Sequence, residues 1–185
     1  MVDLMSLWLP VLVASVLVFI VSSVLHVALP LHKGDNARLA GEAGVLEAMR
    51  KEGVSPGDYA FPHCTSMKNM GSDEMKKKFE EGPVGFMTVY PNGPINMGKA
   101  LVLWFLYTIV VGLFVAYVAS ITLGAGEEYM RVFRITSATA FIAYALGAPV
   151  ASIWKGQKWS TSFKFVLDGF LYSLATAGAF GWLWP

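Results

Sequence analysis

Four long apolar stretches, separated by charged segments, constrain this chain more than any other feature. Residues 4–32, 100–126 and 135–154 carry no Asp, Glu, Lys or Arg, and residues 165–185 carry one formal charge, Asp168. A helix crosses a hydrocarbon core of ~30 Å with ~20 apolar residues, so each stretch is long enough to span a membrane. Only 15% of the 185 residues are charged, whereas soluble domains carry ~25%. The sequence therefore predicts an all-α membrane protein with four transmembrane helices.

The spacing of small residues predicts that these helices pack into an antiparallel four-helix transmembrane bundle. Small side chains at four-residue intervals let two helix backbones approach closely in a membrane. Three stretches carry such a pattern: Gly112, Ala116 and Ser120; Thr139, Ala143, Gly147 and Ala151; Gly169, Ser173 and Ala177. The first stretch places Ser15, Ser22 and His26 on one face, and Pro149 predicts a bend in the third.

The remaining segment predicts a small α+β insertion between helices 1 and 2. We assign residues 1–32 to transmembrane helix 1, residues 33–98 to this cap, and residues 99–185 to transmembrane helices 2–4. Within the cap, residues 41–52 predict a helix, and Ser72 predicts the N-cap of another. Residues 59–61 and 84–90 are rich in strand-forming side chains. So small a unit buries little core by itself.

The distribution of basic residues predicts the orientation in the membrane. Two basic residues near the span ends, Arg131 and Arg134, fall on one side. Six fall on the other: Lys33, Arg38, Lys99, Lys155, Lys158 and Lys164. The positive-inside rule then places the cap in the cytoplasm and both termini outside it.

A polar cluster is predicted in the cytoplasmic third of the bundle. An ionisable residue within a span costs ~2.5–3.5 kcal/mol on insertion scales, which makes Asp168 a candidate functional group. At 1.5 Å of rise per residue, His26 lies within a few Å of Asp168 in depth, and Tyr107 and Tyr144 lie at a similar depth. Two interpretations remain open. One is a proton or small-ligand site; the other is a structural role, either in a hydrogen-bond network or in a pair of Asp168 with Lys164 four residues away.

The segment from His63 to Met70 is a second candidate site. His63, Cys64, Met67 and Met70 are soft or borderline donors, and thiolate with thioether suits Cu(I). The last three would share one face if the segment were helical. The alternative is that the two methionines pack the cap against the membrane surface.

Several classes of function lack the residues they require. The chain has no phosphate-binding Gly-x-x-x-x-Gly-Lys loop, no Gly-x-Ser-x-Gly elbow and no His-Glu-x-x-His pair. It has no Cys-x-x-Cys-His for c-type haem, and it lacks the two membrane histidines that a bis-histidine haem needs. A net charge of +1 gives no indication of nucleic acid as a partner. The sequence thus assigns no cofactor, and these absences favour a non-enzymatic role.

Five short runs carry a resemblance to a known group. They are Leu31-His32-Lys33-Gly34-Asp35, Pro56-Gly57-Asp58-Tyr59, Phe61-Pro62-His63-Cys64, Gly82-Pro83-Val84-Gly85-Phe86 and Ser152-Ile153-Trp154-Lys155-Gly156. With these runs the chain resembles a set of uncharacterised bacterial four-span membrane proteins over nearly its whole length. The resemblance implies a multi-pass protein of the bacterial inner membrane and brings no catalytic or binding residues with it.

The function that the sequence favours first is that of a structural or accessory subunit. Its partners would be membrane lipid and either other membrane protein subunits or further copies of this chain, docked through the cap and the small-residue faces. The alternative is an active role: small-ligand or proton-coupled transport or binding at the inner polar cluster, or copper handling through residues 63–70.

Overall fold

The computed structural model describes residues 2–185, which divide into two compact units. One unit combines the N-terminal segment through Asn36 with Asn96–Pro185, and the other is Ala37–Ile95. The elements in chain order are α1 (Trp8–Ser23), α2 (Glu42–Lys51), β1 (Gly57–Phe61), α3 (Met67–Met70), α4 (Asp73–Glu81), β2 (Gly85–Val89), α5 (Met97–Thr122), α6 (Tyr129–Ala145), α7 (Pro149–Lys155) and α8 (Trp159–Trp182).

Three helical segments are long and apolar enough to cross a membrane. They are Leu4–Ala28, which contains α1, Met97–Thr122, which is α5, and Tyr129–Lys155, which contains α6 and α7. The predicted fourth span, α8, has 24 residues but falls outside this group. The protein is therefore mostly helical, with three candidate membrane-spanning helices and a small sheet.

Close helix packing in the first unit depends on two glycines. α8 packs against α6 and α1, and α5 packs against α1 and α6. A Cβ atom on Gly112 would lie 3.1 Å from Val11 Cγ1, and one on Gly169 would lie 2.8 Å from the Cα of Ala145. Both glycines and the small residues that follow them at four-residue spacing are buried. The predicted packing faces of the second and fourth stretches are thus confirmed.

The predicted packing face of the third stretch is wrong. The buried side chains of α6 are Val132, Thr136, Ala140 and Ala145. Of the four residues predicted to form the face, Ala143 and Gly147 are exposed. The other two, Thr139 and Ala151, are half-buried. The helix ends at Ala145, and a turn over residues 146–148 precedes Pro149 at the first position of α7. α6 needs no small-residue stripe here, because Gly169 on α8 already provides the space.

The first stretch is not one helix through residue 32. α1 is followed by a π-helical turn, Val24–Ala28, then by extended Leu29 and a 3₁₀ turn, Pro30–His32. Pro30 explains the break, because a proline lacks the amide proton of a continuing helix and restricts the residue before it to extended geometry. The helical segment therefore ends at Ala28, and His32 lies on a separate turn.

Both ends of the described chain lie beside the turn between α5 and α6. The amide of Val2 donates to the carbonyl of Ser120 at 3.2 Å, and the amide of Gly126 donates to the carbonyl of Pro185 at 2.7 Å. Trp184 Nε1 donates to the carbonyl of Gly124 at 2.8 Å. The side of the membrane that these ends face stays a prediction.

The second unit contains the predicted helices and strands. β1 and β2 pair antiparallel from Gly57 opposite Val89 to Phe61 opposite Gly85. The Ser72 side chain accepts from the amide of Met75 and caps α4, as predicted. Across residues 37–95 Met75 is the one buried side chain. This unit accordingly has little core of its own.

Candidate functional site

Two histidines and one carboxylate converge at the end of the first helical segment. The turn after Leu29 brings the ring of His32 to 4.3 Å from the ring of His26, centroid to centroid. Asp168 of α8 lies beside both: its Oδ2 is 2.9 Å from Nε2 of His32 and 3.6 Å from Nε2 of His26. One ligand atom from each of the three residues lies within 4.8 Å of the others.

Asp168 is buried, and its carboxylate has no hydrogen-bond partner in the part of the chain that the structure describes. It is 1% exposed, and within residues 2–185 neither carboxylate oxygen forms a hydrogen bond, nor does Nε2 of His32. The 2.9 Å contact is therefore an ion-pair distance without hydrogen-bond alignment. A buried polar group left in this way costs roughly 1–3 kcal/mol, and a charged one costs more. A proton or a cation bound at this carboxylate would remove that cost.

The other side of His32 is held by a second carboxylate. His32 Nδ1 lies 2.7 Å from Asp35 Oδ2, and Lys164 Nζ donates to Asp35 Oδ1 at 2.5 Å. The hydrogen bond from Lys164, together with that of His32, lowers the pKa of Asp35 below its ordinary value. Asp35 therefore orients the His32 ring, with Nδ1 toward Asp35 and Nε2 toward Asp168.

Aromatic side chains form a chamber of about 510 Å³ next to this cluster. Trp104 Nε1 donates to the Ser22 hydroxyl at 2.9 Å, and the Tyr107 hydroxyl donates to the carbonyl of Ala143 at 3.3 Å. The rings of Tyr144 and Tyr172 meet edge to face at 5.6 Å. The chamber is lined by Ser22, Ser23, His26, Val27, Met97, Leu101, Trp104, Tyr107, Tyr144, Phe165, Asp168 and Tyr172.

A second, more polar cavity of about 490 Å³ also borders the histidines. Its lining residues are His26, His32, Asp35, Asn36, Gly156, Gln157, Lys158, Thr161 and Phe165. His26 and Phe165 line both cavities, so the chamber and the polar cavity both border the cluster.

Four of the five residues predicted for the polar cluster line one chamber: His26, Asp168, Tyr107 and Tyr144. Lys164 differs, because its ammonium group binds Asp35 and not the predicted partner Asp168. The sequence analysis missed His32 and Asp35. The signal that identifies them is a histidine two residues after a helix-ending proline, followed three residues later by an aspartate.

The predicted copper segment lies in the second unit. Met67 and Met70 are exposed and are the first and last residues of the four-residue helix α3. Cys64 and His63 precede this helix in irregular chain. The prediction that Cys64, Met67 and Met70 share one helical face is therefore wrong. Cys64 is a free, half-buried thiol. Copper binding by these residues stays a prediction.

Comparison with known proteins gives no family for this chain. No protein-family model, curated protein or solved structure matches it.

Proposed function

We propose that this chain is a four-span membrane protein that binds a small molecule from the lipid phase in the aromatic chamber. His26 and Asp168 would contact the polar group of that molecule. The observation that carries the proposal is the burial of Asp168 in the chamber wall, where neither carboxylate oxygen has a hydrogen-bond partner among residues 2–185. An ionisable group within a membrane domain is costly and by default indicates a site of function.

The proposal treats α8 as the fourth span. Its 24 residues would measure about 36 Å as a helix, which exceeds the hydrocarbon thickness. Several of its hydroxyl residues, including Thr161, Ser162 and Thr176, are buried within the protein. They lower the hydropathy of α8 without meeting lipid. A fourth span is therefore compatible with its composition.

The walls of the chamber indicate what kind of molecule it would take. A volume of about 510 Å³ lies within the ~300–1,000 Å³ of small-molecule sites, which are mostly apolar with a few convergent polar groups. The chamber wall includes three residues that are also exposed on the outer surface: Val27, Met97 and Leu101. The exposed fraction of Val27 is 85%. In a membrane that surface faces lipid or the adjacent interface. We expect a largely apolar ligand with one polar end.

The test fills the chamber and follows its contents. Ser23 lines the chamber and its hydroxyl donates to the carbonyl of Phe19, so Ser23→Phe adds a ring where the ligand would lie. Ser137→Phe is the matched control, because Ser137 is also a helical serine bonded to its own helix and lies outside the chamber. Each protein is purified from its native membrane, extracted with organic solvent, and its small molecules are identified by mass spectrometry.

We expect one compound at about one molecule per chain in the wild type and in Ser137→Phe, and its loss from Ser23→Phe. Equal retention in all three proteins, or no bound compound in any, contradicts the proposal. Mass spectrometry of the intact complexes tests the accessory role in the same preparation. Stoichiometric partner subunits without a chamber ligand would support that role instead.

A further inference from the structure

The geometry points to a metal centre formed by His26, His32 and Asp168, which would bind a divalent first-row transition metal ion at the inner end of the chamber. This inference rests on the proposed function, because the ion would face the polar end of the chamber ligand. It requires no residue of the predicted copper segment at residues 63–70.

The spacing of the donor atoms fits a single ion. Two donors, each about 2.1 Å from a zinc-sized ion at a tetrahedral angle, lie about 3.4 Å apart. Nε2 of His32 and of His26 lie 2.9 Å and 3.6 Å from Asp168 Oδ2, and the full donor set is contained within 4.8 Å. Small rotations of the side chains would therefore complete the coordination.

Asp168 adds an observation independent of spacing. Its carboxylate is almost fully buried, and within the described residues 2–185 both oxygens and Nε2 of His32 lack hydrogen-bond partners. Buried charges are normally paired with hydrogen-bonding groups or coordinate metals. A cation between Asp168 and the two imidazoles would satisfy all three orphaned atoms together.

The support around His32 is the kind that metal-ligating histidines have. Such a histidine commonly donates its other ring N–H to a carboxylate, which fixes the tautomer and the orientation of the ring. Asp35 provides that carboxylate 2.7 Å from Nδ1, and Lys164 in turn holds Asp35. A metal centre thus gives Asp35 and Lys164 a role, because they would orient the His32 ligand.

The type of ion follows from the donors. Two imidazoles and one carboxylate suit zinc, iron(II) or a related divalent ion, whereas the absence of sulfur among the three donors disfavours copper(I). Three protein ligands leave at least one coordination position for water or ligand. The polar cavity lined by Asp35 and Asn36 offers an entry path for a hydrated ion, and the chamber borders the same cluster.

The experiment uses the full-length, tag-free protein in lipid nanodiscs, stripped with a chelator and reloaded separately with Zn²⁺ and Co²⁺. Retained metal per chain is measured by elemental mass spectrometry, and the visible spectrum of the Co²⁺ form reports the coordination geometry. The variants are His32→Ala, Asp168→Asn and Asp35→Asn. His63→Ala is the control, since His63 is the one histidine of the sequence outside the cluster. Helical content and elution volume are checked for each protein.

We expect about one ion per chain in the wild type and in His63→Ala, and near-complete loss in His32→Ala and Asp168→Asn. Asp35→Asn should weaken binding by roughly 10–100-fold, the usual effect of removing an outer partner. Failure of the folded wild type to retain either ion overturns the inference, as does retention in both folded ligand variants. If Asp168→Asn fails to fold, His26→Gln replaces it and must also lose the ion.

This result is separable from that of the chamber-filling variant. If Ser23→Phe loses the chamber ligand and the wild type binds no metal, the proposed function stands and the metal centre is refuted. If the wild type binds metal but no chamber ligand, the metal centre stands and the proposed ligand-binding function is refuted.

Discussion

Substitution of Gly169 by alanine should force α6 and α8 apart. The new Cβ would lie 2.8 Å from the Cα and Cβ of Ala145 and from the carbonyl carbon of Tyr144. Two of these atoms are backbone, so a side-chain rotation cannot relieve the overlap. Overpacking of this kind costs roughly 1–3 kcal/mol, while alanine gains ~0.8–1.0 kcal/mol over glycine in helix propensity. The net expected destabilisation is about 1 kcal/mol.

Gly178→Ala is the matched control for this prediction. Gly178 lies in the same helix, and nothing comes within 4 Å of the Cβ that alanine would add. It therefore receives the propensity gain without the overlap. The difference in free energy of unfolding between the two variants isolates the packing contribution, which we expect at roughly 1–3 kcal/mol.

The assay is reversible unfolding in mixed micelles with increasing fractions of sodium dodecyl sulfate, followed by circular dichroism. Gly169→Ala should unfold at a lower fraction of the denaturing detergent than the wild type, and Gly178→Ala at the same or a higher fraction. Equal stability of the two variants would refute the reasoning, because it would mean that α6 and α8 are not in backbone contact at Gly169.

Two further predictions use the same assay. Trp104→Phe keeps an aromatic ring at this position but loses the hydrogen bond to Ser22, so it should destabilise the protein by at least about 0.5–1.5 kcal/mol; an unchanged midpoint would contradict this. The lowered pKa of Asp35 means that its bonds to Lys164 and His32 stabilise the fold above the ordinary pKa of 3.8, and that this contribution is lost as pH falls through the lower folded value. The stability difference between wild type and Asp35→Asn should therefore shrink as the pH falls below 3.8; a difference independent of pH would contradict it.

The sequence was sufficient to predict which groups share a depth in the helical unit. Helical rise alone relates residue number to depth, so His26 and Asp168 could be matched across two helices that are far apart in the chain. The small-residue spacing also identified the faces around Gly112 and Gly169, because close backbone approach needs the same residue types in any such pair.

The turn that carries His32 could not be predicted in the same way. Periodicity describes regular helices, and the direction of the chain after Pro30 depends on backbone geometry at Leu29 that the apolar pattern does not encode. The link from Asp35 to Lys164 joins residues 129 positions apart. Nothing local in the sequence relates these two residues.

The pairing of Lys164 has the largest consequence for the site. Residues four apart on a helix are neighbours, so one of the interpretations left open by the sequence pairs Lys164 with Asp168 on the same face. In the structure, the Lys164 ammonium group binds Asp35 instead. The pairing with Asp35 has two effects. It keeps ionised and fixes the carboxylate that orients His32. Within residues 2–185 it also leaves the Asp168 carboxylate without a lysine or arginine partner. A local pair would have closed the site, whereas this arrangement keeps one buried carboxylate and two imidazoles available for a cation or a ligand.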